Sequence, residues 1–378
     1  MNKKKIILVA NTTWNIYNFR LNVIRKLLSE GHQLMVIAPV DEYLEYKEKY
    51  PQVKHIPLKS MNRDSKNPIK DLVLTIELWR KYKRHKPDLI IHYTNKPNIY
   101  GGIAAKLLGL KSVAVVTGLG YSFIHGGTLS SVVNQLYKFT GKFHNRFIFE
   151  NEDDRKLFIE SQIVNESKAH SVKGCGVDTS HFLPSPNGVH REKITFTFVG
   201  RLLYDKGITE FIAAAKEIKQ DFSEAQFEVI GEFDSDNPSN IDKESLVQWV
   251  DSGVIDYKGF VRDIRPFLSQ SDCIVLPSYR EGMPRTILEG MSMGKPVITT
   301  DVPGCRETVI DGKNGYVVPV RDKVALKNAM INLINLSPEE RTDMGIKGRS
   351  LAVNVFDDKL IAKEILNIIQ PLIDEPSN

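Results

Sequence analysis

Short apolar runs alternate with amphipathic helical patterns along this chain, and after one break the alternation starts again. That repetition limits the fold more than any other feature. Residues 6–10, 33–38, 53–56, 89–93, 112–116, 146–149 and 169–172 read as strands. Helical patterns lie between them over 16–29, 68–85, 98–108, 129–142 and 153–161. Continuously apolar strands separated by helices belong to a parallel sheet covered on both faces. Leu183-Pro-Ser-Pro-Asn-Gly-Val then interrupts the pattern as a turn-rich linker. Strands are expected again over 194–199, 226–230, 273–276 and 296–299, with helices over 206–220, 264–270 and 283–293. Three further helical patterns cover 323–336, 338–354 and 357–373. The expectation is two doubly wound α/β domains, 1–182 and 190–355, with ligand beyond the carboxyl ends of the strands in a cleft between them.

The chain has 378 residues, enough for two ordinary domains. Cys175, Cys273 and Cys305 are far apart, and no Cys-x-x-Cys spacing occurs. That argues against a disulfide framework and against a zinc site, and leaves buried thiols in a reducing cytosol as the expectation. The lysines at 3–5 precede an apolar run too short for a secretory signal, and no stretch is apolar enough to cross a membrane. Residues 1–182 hold 28 Lys and Arg against 16 Asp and Glu, a net +12, whereas 183–378 net −7. A basic half suggests an anionic partner: nucleic acid, an anionic membrane surface or a pyrophosphate-bearing lipid. Arg80, Lys81, Lys83, Arg84 and Lys86 form one basic cluster, although cations at a helix end also suit the dipole.

Glu281-Gly-Met-Pro-Arg-Thr-Ile-Leu-Glu289 places two carboxylates around a turn and a helix start. Gly282 permits close backbone approach, and Pro284 suits the first helical position. Amides at such a start favour phosphate, and ionised acids grip hydroxyls. Phosphate flanked by hydroxyl-gripping acids describes a sugar nucleotide. The plainer reading is that acids near helix starts complement the macrodipole. Gly200-Arg201-Leu-Leu-Tyr-Asp-Lys206-Gly207 sets two cations at a strand end, where they would stabilise a departing diphosphate; basic loops without that role are also common. Gly259-Phe-Val261-Arg262 can offer backbone to a base edge. Pro303-Gly304-Cys305 can bring in another turn, and Asp311-Gly-Lys-Asn-Gly315 reads as a surface turn.

These blocks, VGRLLYDKG, GFVRDI, LPSYREGMPRTILEGMSMGKPVITTDVPGCRETV and DGKNGYVVP, resemble the family 4 retaining glycosyltransferases of GT-B architecture. Cys175-Gly-Val-Asp178 and Phe182 are similar to the segment before that family's linker. The resemblance implies that Arg201 and Lys206 hold the donor diphosphate, and that Glu281, Gly282 and Met283 hold the donor sugar. It implies that Glu289 binds ribose hydroxyls and that Val261 or Arg262 meets the base, with Gly200, Pro284 and Leu288 completing the donor site. It also implies that the last segment, 356–378, crosses back as a helix onto the first domain. Such enzymes retain anomeric configuration, generally by front-face attack, and need no metal or other cofactor.

In the first half, Asn11-Thr-Thr-Trp-Asn15 replaces a Gly-Gly pair common in the family, and Thr117-Gly118-Leu-Gly120 replaces a histidine. Asn15-Ile-Tyr-Asn-Phe-Arg20, Gly118-Leu-Gly-Tyr121-Ser-Phe123 and Phe149-Glu-Asn-Glu-Asp153 resemble bacterial transferases that extend polyprenyl-diphosphate-linked sugars, including those that add GalNAc. The implied activity moves a hexose or N-acetylhexosamine, GalNAc expected, from a UDP-sugar to such an acceptor at the inner face of the cytoplasmic membrane. Asn15, Arg20, Gly118 and Tyr121 are the acceptor-side candidates; Phe123 reads more readily as core, and His92 as a structural hydrogen bonder. Competing expectations are a UDP-sugar transferase with another acceptor in capsule or O-antigen synthesis, a UDP-sugar 2-epimerase, and a basic nucleic-acid module, for which no recognition motif is present.

Overall fold

The computed structural model describes residues 3–62, 65, 67–119, 127–185, 193–234 and 237–375. The chain divides into two compact units, 1–175 with 358–378, and 176–357.

The first unit holds seven strands: β1 (Lys5–Val9), β2 (Gln33–Ala38), β3 (Lys54–Pro57), β4 (Leu89–Tyr93), β5 (Ser112–Val116), β6 (Arg146–Phe149) and β7 (Ala169–Ser171). Their order is β3-β2-β1-β4-β5-β6-β7, and every pairing is parallel. The strand period of two sorts successive residues into two cores. Ile6, Leu8, Leu34, Val36, Leu89 and Ile91 join one. Ile7, Val9, Met35, Ile37 and Ile90 join the other. A single helix over 16–29 was expected, but the structure has two, Thr13–Phe19 and Leu21–Ser29, broken where Arg20 leaves helical geometry (φ −125°, ψ 2°). The expected 98–108 helix instead begins as a π-turn, Pro97–Gly101, that leads into Gly102–Leu107. The Asp358–Asp374 helix lies in this unit, with Ile361, Ile365, Ile369 and Leu372 in its core. Its first turn is pinned by Arg25 to Asp358 at 2.7 Å, and Asn22 donates to the carbonyls of Asp358 and Cys175.

The second unit holds β8 (Thr195–Val199), β9 (Gln226–Ile230), β10 (Asp256–Gly259), β11 (Cys273–Leu276), β12 (Val297–Thr300) and β13 (Gly315–Val318). They pair in parallel in the order β10-β9-β8-β11-β12-β13. Residues 176–182, expected in the first domain, belong here. Arg349 explains why: it donates to the carbonyls of Thr179 and Phe182, each at 2.9 Å, while Val177 N donates to Phe356 O. The Lys243–Asp251 helix, β10 and β13 were not read from sequence. The turn before β13 is not merely superficial. Asn314 is buried, accepts from Ile310 N at 2.7 Å and donates to Thr308 O at 3.1 Å. All three cysteines are buried, and none is in a disulfide.

Candidate active site

In the second unit, order reverses between β8 and β11, where consecutive-strand winding switches direction. Open α/β sheets bind ligands outside the carboxyl ends of strands at such a switch point. Three glycines close the edge of the sheet beside it. Gly200 N donates to Ile230 O, and Gly231 N donates to Gly259 O. A Cβ on Gly231 would stand 1.8 Å from Gly200 O, so the β9 turn can pass the β8 turn this closely only as glycine. The loops carrying Arg201 and Val261 therefore leave one continuous edge.

Lys206 ends a 3-10 turn after β8, and Gly207 (φ 73°) launches the Ile208–Asp221 helix. A Cβ on Gly207 would meet Pro277 O at 2.1 Å, which draws the β8 loop against the one after β11. Across that contact the Lys206 ammonium pairs directly with Glu281 Oε1, and Ser278 Oγ donates to the same oxygen at 2.7 Å. Lys206 and Glu281 side chains retain 21% and 12% exposure, so the pair is desolvated on one side and reachable on the other. Arg201 is more open and is held by Asp234 at 2.8 Å. Glu281 N donates to Pro303 O at 3.1 Å, and a Cβ on Gly304 would strike the carbonyls of Gly282 and Glu281. The 303–304 turn thus braces the Glu281 turn from behind, and buried Cys305 beside it has its thiol pushed up to about 12 by burial and by the Glu281 charge.

The helix after this turn runs Arg285–Ser292. Pro284 is not its first residue, as expected, but its N-cap, extended at φ −73° and ψ 109°, with its carbonyl accepting from Ile287 and Leu288. Because the helix follows β11, its positive end stands at the ligand-facing edge of the sheet. Glu289, one turn in, is buried and pairs with Arg285 at 2.7 Å. Burial raises its carboxyl pKa, and the Arg285 charge opposes that rise. Gly290 lets the helix lie on β11, where a Cβ would meet Ile274 at 2.5 Å. Met283 and Leu288 are core residues, so only their backbone can face a ligand. Val261 is half-buried, and Arg262 is exposed ahead of the Arg265–Gln270 helix. Ser278 and Asp234 went unrecognised as parts of this arrangement, whereas the 303–304 turn stands where the sequence suggested another turn could enter. Ser278 lies within the Leu276-Pro-Ser-Tyr-Arg280 segment that feeds the Glu281 turn, but Asp234 carries no local signal.

The first-unit candidates separate. Arg20 is not a surface cation: it is 2% exposed, its guanidinium meets Glu150 at 3.1 Å, and it stacks over Tyr93 at 4.4 Å. Asn15 is buried too and accepts from Arg20 Nε at 3.4 Å. Burial raises the Glu150 pKa, and Arg20 counters it. These groups cluster where β1, β4 and β6 end. Gly118 follows β5 in left-handed geometry (φ 102°). Tyr121, Gly120 and Phe123 lie outside the described residues. His92 is fully buried and bonds Tyr82 Oη at 2.9 Å, a structural role. Among the described residues no cluster of three or more His, Cys, Asp or Glu is poised for a metal, and no helix is long and apolar enough to cross a membrane.

Cations, acids and a helix start gathered at a switch point of a parallel sheet suit a ligand that is anionic and rich in hydroxyls. Residues 5–151 match the family described as Glycosyl transferase 4-like, and residues 193–336 match Glycosyl transferases group 1. The two matches fall one in each unit and together take in most of the chain, which belongs to this glycosyltransferase family. It is 28% identical to the N,N'-diacetylbacillosaminyl-diphospho-undecaprenol alpha-1,3-N-acetylgalactosaminyltransferase of Campylobacter jejuni, over 95% of this chain and 96% of that one. It is 29% identical to the UDP-Gal:alpha-D-GlcNAc-diphosphoundecaprenol alpha-1,3-galactosyltransferase of Escherichia coli, over 70% and 71%. Among solved structures, Anabaena Alr3699/HepE in complex with UDP and glucose superposes with a TM-score of 0.80 at 18% identity, covering 97% of this chain and all of that one. A glycosyltransferase from Rickettsia africae superposes with 0.78 at 20%, covering both chains fully. These likenesses establish the GT-B fold.

Proposed function

We propose that this chain transfers a hexose or N-acetylhexosamine, GalNAc first among them, from a UDP-sugar to a polyprenyl-diphosphate-linked saccharide, retaining anomeric configuration without a metal. One observation carries the reading: Lys206, Glu281 and Ser278 meet beside Arg201 and the Arg285–Ser292 helix start, all at the β8/β11 switch point. Breaking the sugar–phosphate bond gathers negative charge on the diphosphate. Arg201, Lys206 and the helix start are fixed in advance where that charge would grow. Two fixed cations supply the electrostatic role a divalent ion would otherwise fill. Glu281, with backbone of Gly282 and Met283, would grip donor-sugar hydroxyls, and Glu289 the ribose. Glu289 and Arg285 neutralise one another, so the acid can enter a buried site at tolerable cost. The paired acids are not a glycosidase-type acid and base. The acceptor hydroxyl would attack from the face the diphosphate leaves.

The acceptor class rests on the full-length similarity to the Campylobacter jejuni enzyme, whose name specifies a diphospho-undecaprenol-linked substrate. Cytoplasmic placement, peripheral to an anionic membrane surface, follows from that substrate. The test is UDP release with UDP-GalNAc, UDP-Gal, UDP-GlcNAc and UDP-Glc against lipid-linked acceptors, in EDTA. Turnover requiring both substrates supports the reading; an epimer formed from donor alone overturns it. The Escherichia coli relative, named for UDP-Gal, makes galactose the sharpest competitor to GalNAc within that panel.

A further inference from the structure

The Pro68–His85 helix has two unlike faces. Inward, Leu74, Leu78 and Tyr82 sit in the first unit's core. Outward, Ile69, Leu72, Val73 and Ile76 are 70%, 61%, 50% and 40% exposed. Their spacing of i, i+3, i+4 and i+7 makes them one stripe. At 100° per residue, Arg80, Lys83 and Arg84 continue that same outward arc, and all three are exposed. The helix has two acids, and neither opposes those cations: Asp71 is buried against Lys96 and Tyr100, and Glu77 is held by Lys81, Ser60 and the Lys59 amide.

Four aliphatic side chains in water beside a cationic turn that neither acid of the same helix meets need a partner that is apolar and anionic together. A second copy of this face brings no acid to meet the cations. The boundary between acyl chains and phosphate headgroups supplies both properties. We propose that this helix face docks on an anionic phospholipid bilayer. Ile69, Leu72, Val73 and Ile76 enter the headgroup–acyl boundary, and Arg80, Lys83 and Arg84 lie against lipid phosphates. The inference rests on the proposed lipid-linked acceptor only for its purpose, and its test uses neither donor nor acceptor.

Full-length protein is floated with vesicles of phosphatidylcholine alone and of phosphatidylcholine with phosphatidylglycerol, beside the variants Leu72→Ser/Ile76→Ser and Arg80→Gln/Arg84→Gln. Circular dichroism confirms that each variant is folded; the replaced side chains are exposed, so melting should hold. Wild type should bind anionic vesicles, and each double variant should bind them roughly tenfold less. High salt should weaken wild type but leave Arg80→Gln/Arg84→Gln little changed. Equal binding by wild type and both variants, or none by wild type, overturns the proposal. So does a wild-type dimer in light scattering that dissociates in Leu72→Ser/Ile76→Ser. Vesicle binding without any sugar transfer would sink the proposed activity and leave this surface standing.

Discussion

Lys206 and Glu281 form a direct ion pair although 75 positions separate them, and Ser278 adds a second donor to the same carboxylate oxygen. In the proposed reaction the pair holds the cation where a leaving diphosphate would lie. Lys206→Ala should therefore lower kcat by about 10²- to 10³-fold, the scale of a lost charge-stabilising donor. Donor KM should change far less. Steady-state UDP release, with circular dichroism to confirm folding, measures this; a kcat within threefold of wild type would remove Lys206 from the chemistry.

Glu289 is tied to Arg285, so its variants report binding more than turnover. Glu289→Gln keeps the shape, loses the charge and weakens ribose recognition. Donor KM should rise about tenfold, with kcat nearly unchanged, as expected for a uniform binding contact. A selective loss of kcat would move Glu289 from binding into catalysis.

Arg20 and Glu150 test a buried pair. Arg20→Ala strands an acid that is already held upward by burial, and removal of one partner from such a pair costs about 3–5 kcal/mol. Urea unfolding should show that loss. Arg20→Ala/Glu150→Ala should recover part of it. A double variant less stable than the single one would contradict the pairing.

His92 and His144 give the first unit an acid limit. Both are buried, and burial lowers both; His144 falls to about 4. Folded pKa values below the unfolded 6.5 mean stability is complete above that pH and lost as pH falls toward 4. For His144 the shift corresponds to about 3 kcal/mol. Glu150 and Glu289, shifted upward, act in the opposite sense. The urea midpoint should drop between pH 7 and 5, and His144→Gln should flatten that drop. A wild-type midpoint constant over this range would refute it.

Gly231→Ala should perturb the site through backbone alone. Its methyl would collide with Gly200 O, displacing the turn that carries Arg201. Overpacking of this kind costs about 1–3 kcal/mol. A lower melting temperature together with a raised donor KM is expected; unchanged values in both would mean the turn yields freely.

Much of this architecture was legible because parallel strands announce themselves locally. Apolar runs marked eleven of the thirteen strands, and the Glu281 block marked the turn and helix start after β11. What stayed hidden depended on partners remote in sequence. Arg20 sits in an uninterrupted helical pattern, and nothing nearby says that it breaks the helix to meet Glu150, 130 positions on. Asp234 becomes relevant only once β9 lies beside β8. Pro284 carried a true signal for a helix start but was placed one residue too far inside. β13 was masked by the turn before it, because Gly315 reads as a loop residue until Val297 O is seen pressing where its side chain would be.

The Asp358–Asp374 helix emerges from the ribosome only after the entire second unit. Until then Val23, Ile24 and Leu27 of the first unit lack the apolar cover it provides. The earlier-made half therefore waits for the later-made half to be synthesised before it can finish. During translation, the nascent amino-terminal region is the one exposed to chaperones and proteases, and the interior insert is free to mature first.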